Sequence, residues 1–326
     1  MSSPVLIATN PCSLREAFGK ALSDMADDFP DVVVLDADIA GGTGTHHFRT
    51  SNPHRFIQFG IAEQNMMAAA GGLAAVGLVP IVTTFAVFCL RAIEQARLSL
   101  CYTQRNAKIV ASHPGLDVGP DGGSAQALED LAAFRAIPGM TVISPADATE
   151  TRLATRAILE FDGPVYMRTG RSPAPHLFGD DHRFEIGKGQ VIRDGDDVTI
   201  IACGVQVARA LAAANILKAD GIQARVVNMA TIKPIDTELV ARCAQQTGAI
   251  VTAEDHNIHG GLGSAVSEAL VASYPCPVEF VGVRDVFGAS GEPEELAQHY
   301  HIAAPDIAAA ARRAIARKKA NLARHL

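Results

Sequence analysis

Tryptophan is missing from the 326 residues, and aromatic side chains amount to only 5%. So meagre a supply argues against a carbohydrate-binding platform or a β-sandwich, whereas plentiful Ala and Gly suit helices packed tightly on parallel strands. Basic side chains are outnumbered, 28 against 35 acidic, for a net charge of −7. A non-specific nucleic-acid binder needs the opposite surplus to release counterions from phosphates, so that class is excluded. The six cysteines, at 12, 89, 101, 203, 243 and 276, form no Cys-x-x-Cys pair. They read as small buried side chains of a reducing, cytoplasmic setting. Met1 to Leu14 has neither the basic start nor the sustained apolar stretch of a secretory leader. Met66 to Leu90 carries no charge and is long enough to span a membrane. Gly71-Gly72, Gly77, Pro80 and Thr83-Thr84 interrupt it, so a buried crossing of helix, strand and helix is expected, with no membrane contact.

What is present is a large apolar fraction, 48%, enough for more than one core, and a length that suggests two domains. Arg15 to Phe29 has helical spacing. Buried-strand patterns follow at Val32 to Leu35, Phe56 to Phe59, Val79 to Val82, Lys108 to Ala111, Thr141 to Ser144 and Pro164 to Met167. Helical stretches at Ala62 to Val76, Phe85 to Tyr102 and Leu128 to Ile137 alternate with them, which predicts a doubly wound parallel sheet. From Ser172 to Gly189 the pattern dissolves into Pro, His, Gly and Asp, an interdomain connection. A second doubly wound α/β domain then has strands at Asp197 to Ala202, Ala224 to Asn228 and Ala249 to Ala253. Its helices fall at Gln206 to Lys218, Asp236 to Gln245, Ser264 to Ser273 and from Pro305 onward. The expected division is 1–178, a linker over 179–190, and 191–326. The basic cluster of Arg312-Arg313 and Arg317-Lys318-Lys319 suits a solvated helix end.

Functional loops of a parallel sheet lie at the carboxyl ends of its strands. Those loops carry Asp38, Glu63, Phe85, Phe88, His113, Asp121 and Arg168, a set suited to acid/base work on an anionic substrate. Bland readings compete. Glu63 sits in a helix first turn, where the dipole favours any carboxylate. Phe85 and Phe88 are spaced for one helix face and could simply be core.

The segment Gly60-Ile61-Ala62-Glu63-Gln64-Asn65-Met66 resembles the signature of the pyrimidine-binding domain of transketolases. It is followed at that family's spacing by Thr84-Phe85-Ala86-Val87-Phe88, Gly119-Pro120-Asp121-Gly122-Gly123 and Ser144-Pro145-Ala146-Asp147. Val227 to Pro234 and Glu254-Asp255-His256-Asn257 resemble the family's C-terminal domain. The resemblance implies thiamine diphosphate chemistry, in which a secluded glutamate, here Glu63, bonds N1′ of the aminopyrimidine and favours the imino tautomer whose N4′ takes the C2 proton. It implies that Phe85 and Phe88 stack on the pyrimidine, that Ile39 wedges the cofactor into its bent shape, and that Asp38 lies close to it. It implies that Arg15 and Arg168 hold a sugar phosphate, and that His113 and Asp121 contact donor hydroxyls.

Three positions depart from the family pattern. Ala125 stands where an imidazole is usual, Gly42 replaces a serine that assists the phosphate, and Arg91 replaces a common tyrosine. The Gly-Asp-Gly…Asn motif that holds the diphosphate and Mg²⁺ is not found. Gly195-Asp196-Asp197 lacks the last Gly and reads as a turn before a strand, and Gly261-Leu262-Gly263 lacks the third Gly of a dinucleotide loop. The implied function is the C-terminal subunit of a split transketolase, transferring a two-carbon ketol unit between sugars or sugar phosphates. The expected partner is a separate diphosphate-binding subunit holding the Mg²⁺, in an α2β2 assembly; no metal ligand is assigned to this chain. The alternatives are the beta subunit of a 2-oxo acid dehydrogenase decarboxylase, a 1-deoxyxylulose-5-phosphate-synthase-like enzyme, or a non-catalytic paralogue. The presence of Glu63, Phe85, Phe88 and Asp121 disfavours the last.

Overall fold

A computed structural model describes residues 8–324. Residues 1–7 of the Met1 to Leu14 reading, and residues 325–326 of the helix expected from Pro305 onward, lie outside the described residues. The first domain runs through β1 (Ala8–Ser13), α1 (Leu14–Asp24), β2 (Val32–Asp36), α2 (Ala40–Thr43), α3 (His46–Ser51), β3 (Phe56–Gln58), α4 (Glu63–Ala75) and β4 (Val79–Phe85). It continues with α5 (Ala86–Cys89), α6 (Ile93–Gln95), β5 (Lys108–Ser112), α7 (Asp130–Ala136), β6 (Thr141–Ile143), α8 (Ala148–Glu160), β7 (Val165–Thr169) and β8 (Pro173–His176). The second comprises β9 (Gln190–Arg193), β10 (Val198–Ala202), α9 (Gln206–Ala219), β11 (Ala224–Asn228), β12 (Thr231–Lys233), α10 (Thr237–Thr247), β13 (Ile250–Asn257), α11 (Leu262–Ala272), β14 (Val278–Val283), α12 (Pro293–His299) and α13 (Ala304–Arg324).

The main sheet has the order β12-β6-β7-β5-β4-β2-β3. Its strands from β6 to β3 are parallel, with helices on both faces. Strands β2, β5 and β7 are buried along their whole length, which is why they read as unbroken apolar runs rather than alternating ones. The uncharged run from Met66 becomes part of α4, β4 and α5, and among the described residues no helix is long and apolar enough to cross a membrane. The second sheet, β14-β13-β10-β11-β9, is parallel apart from its edge strand β9.

The structure differs from the periodicity reading in several places. The single helix expected from Phe85 to Tyr102 is broken into α5, a 3-10 turn over Leu90–Ala92, α6, and a π-helical turn over Ala96–Tyr102. Interruptions of this kind re-aim side chains and are frequent at functional sites; here the Gln64 side-chain amide donates to the Arg91 carbonyl at the break (3.1 Å). Within the irregular Ser172 to Gly189 stretch, β8 pairs antiparallel with β1. Helix α8 and strand β14, unmarked by periodicity, are also present; α8 is capped by Asp147, whose Oδ1 accepts from Glu150 N (2.8 Å) while its Oδ2 accepts from Leu177 N and Phe178 N. Strand β12, contributed by the second domain, adds antiparallel to β6 of the first domain's sheet.

Candidate active site

Five loops meet at the carboxyl rim of the main sheet. The first follows β2, where the wholly buried Asp36 turns back on itself. Its Oδ2 accepts from Ile39 N (2.9 Å) and from Gln58 Nε2 (2.8 Å), and its Oδ1 is buried without a partner. Gln58 Oε1 in turn accepts from Asp38 N and Gly60 N, both at 2.9 Å. One amide thus ties the Asp38-Ile39 loop to the loop that leads into Glu63. Asp38 takes a left-handed backbone conformation (φ 63°) with its side chain exposed, and Ile39 beside it is half-buried. Neither Asp36 nor Gln58 is marked out by the family signature; their role emerges from the pairing of β2 with β3.

Glu63 opens α4 and is 6% exposed. Its Oε1 accepts from Arg91 Nη1 at 2.8 Å, and the Arg91 guanidinium lies 4.7 Å from the Phe88 ring centroid. The residue that departs from the family pattern is therefore the one that covers Glu63 in this chain. Phe88 stacks on Phe85 with centroids 5.4 Å apart, and Phe85 stacks on His113 at 3.6 Å. Packing across these rings explains Gly42. A Cβ there would stand 2.6 Å from Phe85 Cε1 and 3.2 Å from Ile39 Cγ1, so a serine has no room unless the ring moves.

His113, directly after β5, takes a left-handed conformation (φ 59°), a costly geometry for a residue with a Cβ, and one that functional sites tend to retain. Ser112 Oγ donates to the Gly42 carbonyl (3.0 Å) and stands 2.9 Å from His113 Nδ1. Because the hydroxyl proton is already used, Nδ1 carries the ring hydrogen, and Nε2 is left as an acceptor. Burial, together with the positive charges of Arg15 and Arg171, pushes His113 down to about 3, so the imidazole is neutral at physiological pH. Arg15 Nη1 donates to the carbonyls of Gly41 and Gly42 (3.3 and 3.2 Å), leaving its buried Nε without a partner.

The two arginines at the carboxyl end of β7, Arg168 within the strand and Arg171 just beyond it, have different fates. Arg168 is 4% exposed and points into the protein, where Nε donates to Asp130 Oδ2 (2.7 Å), Nη2 to Asp130 Oδ1, and Nη1 to the Asp255 carbonyl (3.1 Å). Burial alone would raise Asp130, but the Arg168 guanidinium holds it below the usual carboxylate range. With its donors committed, Arg168 is a structural ion pair and is not brought to the rim. Arg171, three residues on, is half-buried. It donates to the Val118 carbonyl (2.8 Å), lies 3.5 Å from the exposed Asp121, and is one of the charges felt by His113. Sequence reading missed it because two arginines three positions apart look alike until one is seen to pair with Asp130. Ala125 is buried within the loop that carries Asp121, its amide donating to the Gly122 carbonyl (2.9 Å). The structure thus brings Arg15, Ile39, Glu63, Phe85, Phe88 and His113 to one rim with Asp38 and Asp121 at its exposed edge, and excludes Arg168.

Comparison with known proteins accounts for both halves of the chain. The family model for the transketolase pyrimidine-binding domain matches residues 10–175, and that for the transketolase C-terminal domain matches residues 187–307. The chain is 40% identical over 319 residues to the 6-deoxy-6-sulfo-D-fructose transketolase subunit of Clostridium sp., covering 98% of this chain and 99% of the relative. It is 36% identical over 296 residues to an apulose-4-phosphate transketolase subunit of Phocaeicola vulgatus, covering 90% of this chain and 95% of that one. Human transketolase is 38% identical over 91% of this chain, which accounts for 48% of the human protein. A solved structure described as a split gene transketolase, inactive beta4 tetramer, superposes with a TM-score of 0.88 at 50% identity, covering 94% of this chain and 99% of that one.

Proposed function

Since the chain belongs to the transketolase family, joining its pyrimidine-binding domain to its C-terminal domain, we propose that it is the C-terminal subunit of a split transketolase. In this reading it transfers a two-carbon ketol unit between sugars or sugar phosphates once joined to a separate diphosphate-binding subunit. The observation that carries it is the run of contacts from Glu63 through Arg91, Phe88 and Phe85 to His113, with the Arg15 charge acting on His113, along one rim. The residues fit the pyrimidine half of thiamine diphosphate, the cofactor of this family. Aromatic faces offer a wall for a flat ring, and Gly42 keeps the space beside Phe85 free of any Cβ. When bound, the cofactor supplies the carbon nucleophile that accepts the ketol unit.

Each residue then has a definable task. The buried carboxylate of Glu63, whose Oε1 accepts from Arg91, holds a proton at the pyrimidine N1′ position. Ile39 and Phe85 set the position of the ring and exclude water from it. His113 Nε2, locked as an acceptor, takes a hydrogen bond from a donor hydroxyl and cannot offer one to a carbonyl. Arg15 and Arg171 carry the charge for an anionic terminus, since neither commits its guanidinium to a buried carboxylate. Diphosphate and Mg²⁺ are assigned to the partner, because the Gly-Asp-Gly…Asn motif is not in this sequence.

Calorimetry and a coupled ketol-transfer assay test the proposal together. The purified chain should bind thiamine diphosphate weakly or not at all, and should gain both binding and turnover when mixed with a second polypeptide that carries that motif. Micromolar binding by the chain alone would sink the split-site reading. Acyl transfer to lipoamide with no ketol transfer would favour the 2-oxo acid decarboxylase alternative.

A further inference from the structure

A second cluster lies behind the rim. Glu16, in the first turn of α1, and His46 and His47, which open α3, offer ligand atoms that all lie within 4.8 Å of one another. His47 Nε2 is 3.0 Å from Glu16 Oε2, and the two imidazole rings are tilted by 36° with centroids 4.0 Å apart. His46 Nδ1 is buried and has no hydrogen-bond partner. An orphaned imidazole nitrogen in such a place is costly unless something completes it. The two elements that carry these side chains are also held rigidly. A Cβ on Gly19 of α1 would run into the carbonyl of Gly44, and one on Gly44 would run into the carbonyl of Arg15, so the backbones are in direct contact with no slack between them.

We propose that Glu16, His46 and His47 form a site for a zinc-class divalent cation, distinct from any ion held with the cofactor. Two imidazoles and one carboxylate are the donor set that borderline transition metals prefer, whereas Mg²⁺ and Ca²⁺ select all-oxygen cages. Bonds of about 2.0–2.2 Å to such an ion place neighbouring ligand atoms roughly 3.3 Å apart. At 3.0 Å the Glu16 to His47 pair is slightly tighter than that spacing, and with all ligand atoms within 4.8 Å the three close on an ion by side-chain adjustment. Three protein ligands leave a fourth position for water. The ion would clamp α1 to the start of α3. Arg15, adjacent to Glu16, donates to the carbonyls of Gly41 and Gly42 in α2, the element just before α3, so the clamp lies beside the edge of the rim that carries Arg15. The site does not depend on the reaction assigned to the rim.

The test uses the full chain, freed of metal with a chelator and without thiamine diphosphate or Mg²⁺. Titration with Co²⁺ should give one saturable equivalent with visible d–d bands and no thiolate charge-transfer band, and Zn²⁺ should displace it. The spectrum matters because the chain's free cysteines could bind either ion adventitiously. Zn²⁺ should also raise the melting temperature by about 3 °C or more at a hundredfold excess over Kd. Glu16→Gln, His46→Ala and His47→Ala should each weaken Co²⁺ binding by at least about 10²-fold. The conservative Glu16→Gln guards against a folding defect, since its metal-free melting should match that of the parent chain. Thiolate bands, affinity unchanged in the two histidine variants, or the lack of saturable binding by the parent chain would overturn the site.

Discussion

Two arginines separated by two residues show how much residue-scale function depends on a distant partner. Arg168 is committed to Asp130, which lies on α7. Arg168→Met should therefore lower stability by about 3–5 kcal/mol, as expected when a buried charge loses its partner, readable by denaturant titration. Arg171→Met should cost less, about 1 kcal/mol from the lost bond to the Val118 carbonyl, while raising KM for anionic substrates in the reconstituted complex. The reverse pattern would return Arg168 to the site. Glu63→Gln should slow cofactor C2 proton exchange in that complex by at least about 10²-fold, followed by NMR in deuterated water. His113 makes a prediction about pH. Its folded value of about 3 lies below the unfolded value of 6.5, so the unfolded chain takes up a proton that the folded chain refuses. Stability is complete above pH 6.5 and falls as the pH drops towards 3. His113→Asn should flatten that acid-side decline by up to one proton's slope, measured by denaturant titrations between pH 4 and 7. The residue types at these positions were legible in the sequence. Which arginine faces the rim, and which tautomer His113 adopts, follow from contacts with Asp130 and Ser112 that no local pattern reports.

At the scale of elements, periodicity located the strands well because buried parallel strands write themselves as apolar runs. It failed where a side chain from elsewhere interrupts a regular element. The stretch from Phe85 to Tyr102 has helical spacing throughout, yet it breaks where the Gln64 side chain reaches the Arg91 carbonyl, and the break sets Arg91 over Phe88 and against Glu63. The short helix α2 shows a different cause, close approach. Gly42→Ser restores the family's usual side chain but drives a Cβ into Phe85, so it should cost about 1–3 kcal/mol and weaken cofactor binding by the complex. Unchanged stability in denaturant titration would mean that the Phe85 ring has room to withdraw.

In the whole molecule the two domains are not independent units joined by a linker. Strand β12 leaves the second domain to extend the first domain's sheet. Asp255, at the end of β13, accepts from the backbone amides of Leu116 and Asp117 at 2.8 and 3.0 Å, the start of the loop that carries Asp121. Gln126 reaches the Ala289 carbonyl across the same boundary (3.0 Å). Burial and the neighbouring Asp255 charge push Asp117 above the usual carboxylate range, so removing Asp255 both orphans two amides and relieves Asp117. For Asp255→Ala the informative measurement is therefore local. Hydrogen exchange at the Leu116 and Asp117 amides should accelerate by about 10-fold or more, reflecting roughly 1–3 kcal/mol for each unpaired donor. Protection equal to the parent's would show that the second domain does not brace the active-site loop.

The sequence by itself determined the α/β class, the family, and the identity of the side chains that can meet at the rim. Those depend on residue type and order, which short-range periodicity and ordered motifs preserve. Only the tertiary structure decided that Arg171 and not Arg168 faces the rim, that Gly42 is required by the Phe85 ring, that Arg91 covers Glu63, and that the second domain completes the first domain's sheet. Each of these depends on a contact between segments far apart in the chain, where the outcome is set by steric clearance and by which buried charge finds a partner.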